Sequence, residues 1–377
     1  MNEAEHPHLL LVSSTPHLPQ VVGGLEINTD ELALELNHRG CRTAVLAKLS
    51  LRDAFGISRC VTNLARGREV YCDADLGYQV YRTRRPWLHV RTMPAPAAVV
   101  VQNGGMIDLA NDFARQGISS VAYLHGLGFE GDESGWSQPV TKLPFRAYIA
   151  NSHFTAERFR KRFGIVPHVI PPIFRPERYR ATGQRRYATF INPVPDKGVE
   201  LAFAIAGLCP DIPFLFVRAW RLRWRDLADL KAHVRRQRNV ELVDAQPDMR
   251  WIYGATRVLL APSLWDEPWG RVASEAQFSG VPVLGSDSGG LPEAIGPGGT
   301  IVPREAPAPV WAEELRRFWY DQQHYADISR QALAHSRRPA LDPRRQVDAF
   351  LAIIRDAMQP PRPHERERGP GDQLQIE

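Results

Sequence analysis

Glu267 and Glu275 stand eight residues apart in the run Val258–Ile295, "VLLAPSLWDEPWGRVASEAQFSGVPVLGSDSGGLPEAI". On an ideal helix that interval is about 12 Å of rise and about 80° of rotation, so both carboxylates reach one groove. Trp269, Gly270, Arg271 and Val272 lie between them. There the first N–H groups of a helix have no intrahelical acceptor and form an anion site. The order is carboxylate, phosphate cradle, carboxylate, which suits a sugar joined through a diphosphate to a ribose. The same residues also read as a helix whose acidic start, Asp266 and Glu267, complements its dipole, with one Glu at a buried edge. Charged helix faces are common.

Other residues carry related chemistry. Lys197, beside Gly198 at the start of a predicted helix Val199–Leu208, is placed to neutralise a phosphate, although an exposed loop Lys would equally do nothing. Gly23 and Gly24 fall where the first helix begins and let backbone N–H groups approach a phosphate with no Cβ in the way. This loop does not carry the dinucleotide pattern G-x-G-x-x-G, and a Gly pair alone also makes an ordinary turn. His125 follows the predicted strand Ser120–Leu124, and ligands of open α/β sheets bind outside the carboxyl ends of strands. A structural His bonded to a loop carbonyl fits the same position.

Two strand–helix alternations must hold these residues. "HLLLVSS", a loop, a helical pattern over Leu25–Arg39 and the strand Thr43–Ala47 open a doubly wound sheet. Residues 51–96 show few clean periods and read as short strands and loops. The strands Ala97–Gln102 and Ser120–Leu124 follow, then "AYIANS", with Ser152 set to cap a helix Thr155–Phe163. That helix carries Arg158, Arg160, Lys161 and Arg162 beside three Phe. It suits an anionic membrane surface, or a basic helix packing its Phe side on the sheet. After a Pro- and Arg-rich boundary near 172–185, strands at Tyr187–Ile191 and "IPFLFVRAW", the stretch described first, and helices at Val310–Tyr320, Asp321–His335 and Arg344–Met358 complete the pattern.

At 377 residues the chain accommodates two ordinary domains. No apolar run approaches the roughly 20 residues of a membrane helix. The N-terminus, with Glu3 and Glu5, lacks a signal peptide's basic start, so a cytoplasmic protein is expected. Four cysteines at no metal-ligand spacing read as buried small apolar residues. The net charge of +5, with Arg clustered near 82–85, 158–162, 218–225 and 235–238, fits solvated faces, and no nucleic-acid-binding module is present. The tail "QPPRPHERERGPGDQLQIE" has the composition of a disordered segment.

Taken together, "EPWGRVASEAQFSGVPVLGSDSGGLPE" resembles the E-x7-E signature of retaining glycosyltransferases of the GT-B fold, family 4, which use nucleotide-sugar donors. "VVGGLE" resembles that family's N-terminal Gly-Gly loop, "YLHG" its His after a strand, "IANS" its Asn-Ser and "DKGVELA" its Lys-Gly donor motif, all in the family's order. The resemblance implies two Rossmann-like domains facing a cleft: an acceptor-binding domain over 1–175, a donor-binding domain over 176–343, and a helix 344–358 crossing back to the first, ahead of the tail 359–377. It implies that Glu267 contacts the donor sugar's hydroxyls, that Glu275 holds the ribose, and that Trp269, Gly270, Arg271 and Val272 offer backbone contacts. It places Gly23 and Gly24 over the phosphates, Lys197 on the leaving diphosphate and His125 near the anomeric centre. Where many relatives carry an Arg before the Lys, this chain has Asn192, which can donate but brings no charge. Arg218, Arg221, Arg223 or Arg271 are the candidates to compensate.

The implied chemistry is metal-independent sugar transfer with retained anomeric configuration by front-face attack, with no cofactor. The donor is a UDP-sugar by default. Acceptor and oligomeric state are not readable; a glycan, a natural product or a lipid-linked sugar all fit, the last with peripheral contact at the inner face of a membrane. Trp87, Trp136 and Tyr123 are candidate stacking platforms, or core. A catalytically idle binding subunit and a GT-B-fold epimerase or phosphorylase are the competing readings.

Overall fold

The structure, a computed structural model, describes residues 8–88, 96–103, 105–129, 143–246 and 248–359. Trp136 and the tail beyond 359 lie outside these residues, as does the side chain of Trp87.

The chain forms two α/β domains, each built on a mostly parallel sheet. The first holds β1 (Leu9–Pro16), α1 (Gly24–His38), β2 (Thr43–Lys48), α2 (Ala54–Ala65), β3 (Tyr71–Asp73), β4 (Gln79–Thr83), β5 (Ala98–Asn103), α3 (Met106–Ala114), β6 (Ser119–Leu124), β7 (Ala147–Ala150), α4 (His153–Phe163) and β8 (His168–Val169). Its strand order is β3-β4-β2-β1-β5-β6-β7-β8, with β3 antiparallel at one edge. Leu9, Leu11, Val45 and Val100 pack on one face of this sheet, and Leu10, Val12, Leu46, Val99 and Val101 on the other. Burial on both faces explains why "LLLV" and "AVVV" show no polar alternation.

The second domain holds β9 (Tyr187–Ile191), α5 (Val199–Leu208), β10 (Phe214–Arg218), α6 (Trp224–Arg236), β11 (Val240–Asp244), α7 (Arg250–Ala255), β12 (Thr256–Ala261), α8 (Arg271–Gln277), β13 (Val283–Ser286), α9 (Leu291–Ile295), β14 (Gly299–Val302), α10 (Ala308–Tyr320) and α11 (Gln322–Ser336). Its strand order is β11-β10-β9-β12-β13-β14. Packing passes from the first core to the second between Ile173 and Phe174.

The last helix, α12 (Pro343–Met358), returns to the first domain. Val347, Phe350, Leu351 and Ile354 sit in one buried cluster with Leu9, Leu11, Val100 and Tyr123. Its N-terminus is fixed by Asp342, which accepts from the Arg344 N–H at 2.9 Å.

The structure corrects some local expectations. Residues 51–96 contain the helix α2, whose Ile57, Val61 and Leu64 face solvent while Gly56 and Asn63 are buried. Residues 224–236 form α6, with only Leu230 fully buried in it. Cys41 and Cys209 are buried, but Cys60 is half-buried and Cys72 exposed; none of the four forms a disulfide. Tyr123 is fully buried, donating to the Ile170 carbonyl at 3.1 Å, and is core rather than a stacking platform. No helix among the described residues is long and apolar enough to cross a membrane.

Candidate functional site

In the second sheet the strand order reverses between β9 and β12, and a crevice opens at the carboxyl ends of strands on either side of such a switch. Lys197 follows β9 and Glu267 follows β12, so the topology delivers both to that crevice. There the Lys197 ammonium pairs with Glu267 Oε1, and Ser263 Oγ donates to the same carboxylate oxygen at 2.8 Å. Trp220 and Trp265 flank the ammonium, their ring centroids 5.3 Å and 5.1 Å from Nζ, close enough for cation–π attraction.

Glycines set this geometry. Gly198 has a φ of +81°, and a Cβ there would stand 2.1 Å from the Pro262 carbonyl oxygen. The loop bearing Lys197 is thereby laid against the end of β12. Gly290 donates to the Glu267 carbonyl at 2.6 Å, and a Cβ at Gly289 would meet the Glu267 backbone at 2.4 Å. The glycine turn after β13 is therefore a support for Glu267.

Glu275 lies on α8, which begins at Arg271 with Gly270 as its left-handed N-cap. Its carboxylate accepts from Tyr253 Oη at 2.6 Å and pairs with Arg271 Nε at 3.2 Å. Trp269 is buried, its indole N–H donating to Ser274 Oγ at 3.1 Å. Val272 is partly buried against the same core.

Across the cleft, His125 is half-buried, its ring tilted by 40° against that of Tyr123 with centroids 4.1 Å apart. Its Nε2 meets Gln102 Oε1 at 3.2 Å, and Thr29 Oγ1 donates to the same oxygen at 3.1 Å. Desolvation, reinforced by the charge of Arg271, lowers its pKa to about 3, so at neutral pH the ring is uncharged. Gly23 caps α1 with the Glu26 carboxylate close beside it, and burial raises that carboxyl to about 7. Gly24 lies against the aliphatic stem of Arg271.

Asn192 also has a task within the fold. It adopts a φ of +61°, and its Oδ1 accepts from the N–H groups of Ala219 at 3.1 Å and Trp220 at 2.9 Å. It shapes the loop that brings Trp220 beside Lys197. Among the Arg candidates, Arg218 pairs with Asp244 at 2.7 Å, and Arg221 donates to the Arg52 carbonyl at 3.4 Å. Arg271 is committed to carboxylates. Sequence reasoning missed Glu31, Glu26, Gln102, Trp220 and Trp265. The available signal was α1 itself, a helix whose buried face includes Glu26, Asn28, Thr29, Asp30 and Glu31. Polar residues are buried at such density when they meet specific partners.

Comparisons with known proteins bear on the fold and on the second domain. The family described as Glycosyl transferases group 1 matches residues 195–335, which include Lys197, Glu267 and Glu275. A D-inositol 3-phosphate glycosyltransferase of Saccharomonospora viridis is 38% identical over 113 residues, 29% of this chain and 25% of that protein. A UDP-GlcNAc:ribostamycin N-acetylglucosaminyltransferase of Streptomyces fradiae is 30% identical over 142 residues, 32% of this chain and 37% of that protein. The matched part thus spans only about a quarter to a third of these relatives. Among solved structures, Anabaena Alr3699/HepE in complex with UDP-glucose superposes with a TM-score of 0.70 at 18% identity, over 92% of this chain and all of that one. The sucrose-phosphate synthase of Thermosynechococcus elongatus gives 0.69 at 15%, over 92% of this chain and 98% of that one. Residues 195–335 are therefore a group 1 glycosyl transferase domain, carried within a two-domain GT-B fold.

Proposed function

We propose that this chain is a retaining, metal-independent glycosyltransferase of family 4 that moves a sugar from a nucleoside diphosphate to a hydroxyl-bearing acceptor. The observation that carries this reading is the Lys197–Glu267 pair at the switch point of the second sheet, under the Trp220 and Trp265 rings. As the anomeric C–O bond breaks, negative charge grows on the diphosphate. A fixed ammonium at that position stabilises the transition state more than the ground state. A diphosphate at Lys197 Nζ competes with Glu267 for the ammonium and leaves that carboxylate to accept from sugar hydroxyls. Glu275, beside Arg271, holds the ribose, with backbone contacts from Trp269 to Val272. The N-terminal glycine loop closes over the diphosphate. His125, neutral, contributes a hydrogen bond near the anomeric centre and no charge.

The acceptor hydroxyl attacks from the face the diphosphate leaves, and the departing phosphate oxygen takes its proton, so no protein nucleophile is required. UDP-sugars are the first donors to test, because the Anabaena neighbour was solved with UDP-glucose and the Streptomyces relative is named for a UDP-sugar. A thermal-shift panel of nucleoside diphosphates and their sugars identifies the base; a ligand at about 100 times its Kd adds about 2.7 kcal/mol. Turnover of the selected donor with chelator present, and the anomeric configuration of the product by NMR, test the rest. Retention with full activity in chelator is expected. An inverted product or loss of turnover on chelation would overturn the mechanism.

A further inference from the structure

Arg271 is the first residue of α8, but its side chain leaves its own domain. The stem runs beneath Gly24, where a Cβ would stand 3.3 Å from Arg271 Cδ. The guanidinium lies over the Phe174 ring, 4.3 Å from its centroid. Nη1 donates to the Ile173 carbonyl at 2.9 Å, and Nη2 to Tyr179 Oη at 3.0 Å and to Glu31 Oε2 at 3.2 Å. Nε reaches Glu275 at 3.2 Å. The side chains of Arg271 and Glu275 are each 7% exposed, and that of Glu31 is 0% exposed.

Glu31 belongs to α1 of the first domain, the helix that begins at the glycine loop, and Glu275 belongs to α8 of the second. A buried guanidinium held by two carboxylates is costly to strand, and here the two carboxylates come from opposite sides of the cleft. Arg178, beyond the boundary at Ile173, adds a part-exposed partner to α1: its Nη1 stands 2.7 Å from Asp30 Oδ2 and 3.5 Å from Glu31 Oε1, with its own side chain 39% exposed. Two further polar contacts between the domains are wetter. Glu293 accepts from the N–H groups of His153 and Phe154, the first of which lies in an exposed setting. Arg158 and Asp266 stand 3.5 Å apart with side chains 37% and 28% exposed. Such contacts exchange for water at little cost. Opening the cleft at Arg271 offers no such exchange without hydrating both buried ions.

We propose that Arg271 is a closure strut: through Glu31 and Glu275 it ties the position of the glycine loop to the carboxylate that holds the ribose, so domain closure and donor positioning are one equilibrium. Arg271 is thus a positioning residue, acting through α1 and Glu275 rather than on the reacting atoms. The role given to Glu275 rests on the donor-site reading above; the closure role does not.

The test uses the full chain and three variants: Glu31→Gln, Arg271→Met, and the double Glu31→Gln with Arg271→Met. The double variant removes the Glu31 charge together with its cation and leaves Glu275 accepting from Tyr253 Oη at 2.6 Å, so the domain stays folded if a lone buried Glu31 carboxylate proves too costly. Small-angle X-ray scattering should show a larger radius of gyration than wild type in all three. With the donor found in the panel, kcat should fall at least about tenfold, and the nucleoside diphosphate, over which the glycine loop closes, should bind more weakly to Glu31→Gln than to wild type. The effects of the two sites should be strongly non-additive. An unchanged radius of gyration in folded variants, or losses that simply add, would overturn the strut. Scattering reads closure without turnover, so a wild-type chain inactive on every nucleotide sugar would remove the donor-site reading and leave the strut to be judged on scattering alone.

Discussion

Tyr78 donates its single hydroxyl proton to Asp30 Oδ1 at 2.8 Å, so its 2.9 Å contact with His17 has the ring Nε2 as donor. His17 is buried, and desolvation, with the charge of Arg82, lowers its pKa to about 3 from an ordinary 6.5. Between those values the unfolded chain takes up a proton that the folded chain refuses, so this group's stabilisation is present above pH 6.5 and is lost as pH falls. Urea denaturation from about pH 7 to about pH 5 should show wild type losing more stability than His17→Gln; parallel curves would contradict the buried, neutral ring. Glu26, raised to about 7 by burial, contributes with opposite sign, but it is common to both proteins and cancels in the difference. At this scale the sequence was partly transparent. Lys197 beside Gly198 and the two Glu of the signature were legible because local spacing alone sets where they lie. That Arg271 would turn away from its own helix toward Glu31, 240 positions away, is a fact of domain packing that no local pattern encodes. The left-handed backbone of Asn192 and its two loop N–H partners are likewise invisible without the fold.

Elements succeed or fail as supports according to how closely their backbones must approach. Gly198→Ala adds a Cβ where φ is +81° and the Pro262 carbonyl oxygen is 2.1 Å away. It should destabilise the protein by about 1–3 kcal/mol and lower turnover further by displacing Lys197. Chemical denaturation and a rate measured well below the melting transition separate the two effects; a variant with wild-type stability would contradict the described contact. The strands that carry site residues were readable as apolar runs, because β1, β5, β6 and β10 are buried on both faces. The helices α2 and α6 were not. In α2 the branched apolar residues point outward, and in α6 the core-facing stripe is short, Leu227, Leu230 and Val234 with only Leu230 fully buried, and is set among charged residues, so each is a weak case of the pattern by which an amphipathic helix is recognised.

In the whole molecule, α12 makes the first domain depend on the end of the chain. Phe350 is fully buried among first-domain residues, 6.4 Å from Tyr123 between ring centroids, and Phe350→Ala should cost about 3–5 kcal/mol. Hydrogen exchange should report the loss in β1, β5 and β6 rather than in the second sheet; loss confined to α12 would contradict the shared core. The two-domain architecture was legible because strand–helix alternation restarts after the Pro-rich boundary. The closed contact between the domains was not, since it rests on pairs such as Glu31 with Arg271. The most direct measurement is the rate of nucleoside diphosphate release from the donor found in the panel, compared among wild type, Lys197→Ala and Glu267→Ala with unfolding temperatures recorded alongside. Each variant should fall at least about tenfold while staying folded; wild-type rates in both would contradict the placement of the donor site at the Lys197–Glu267 pair.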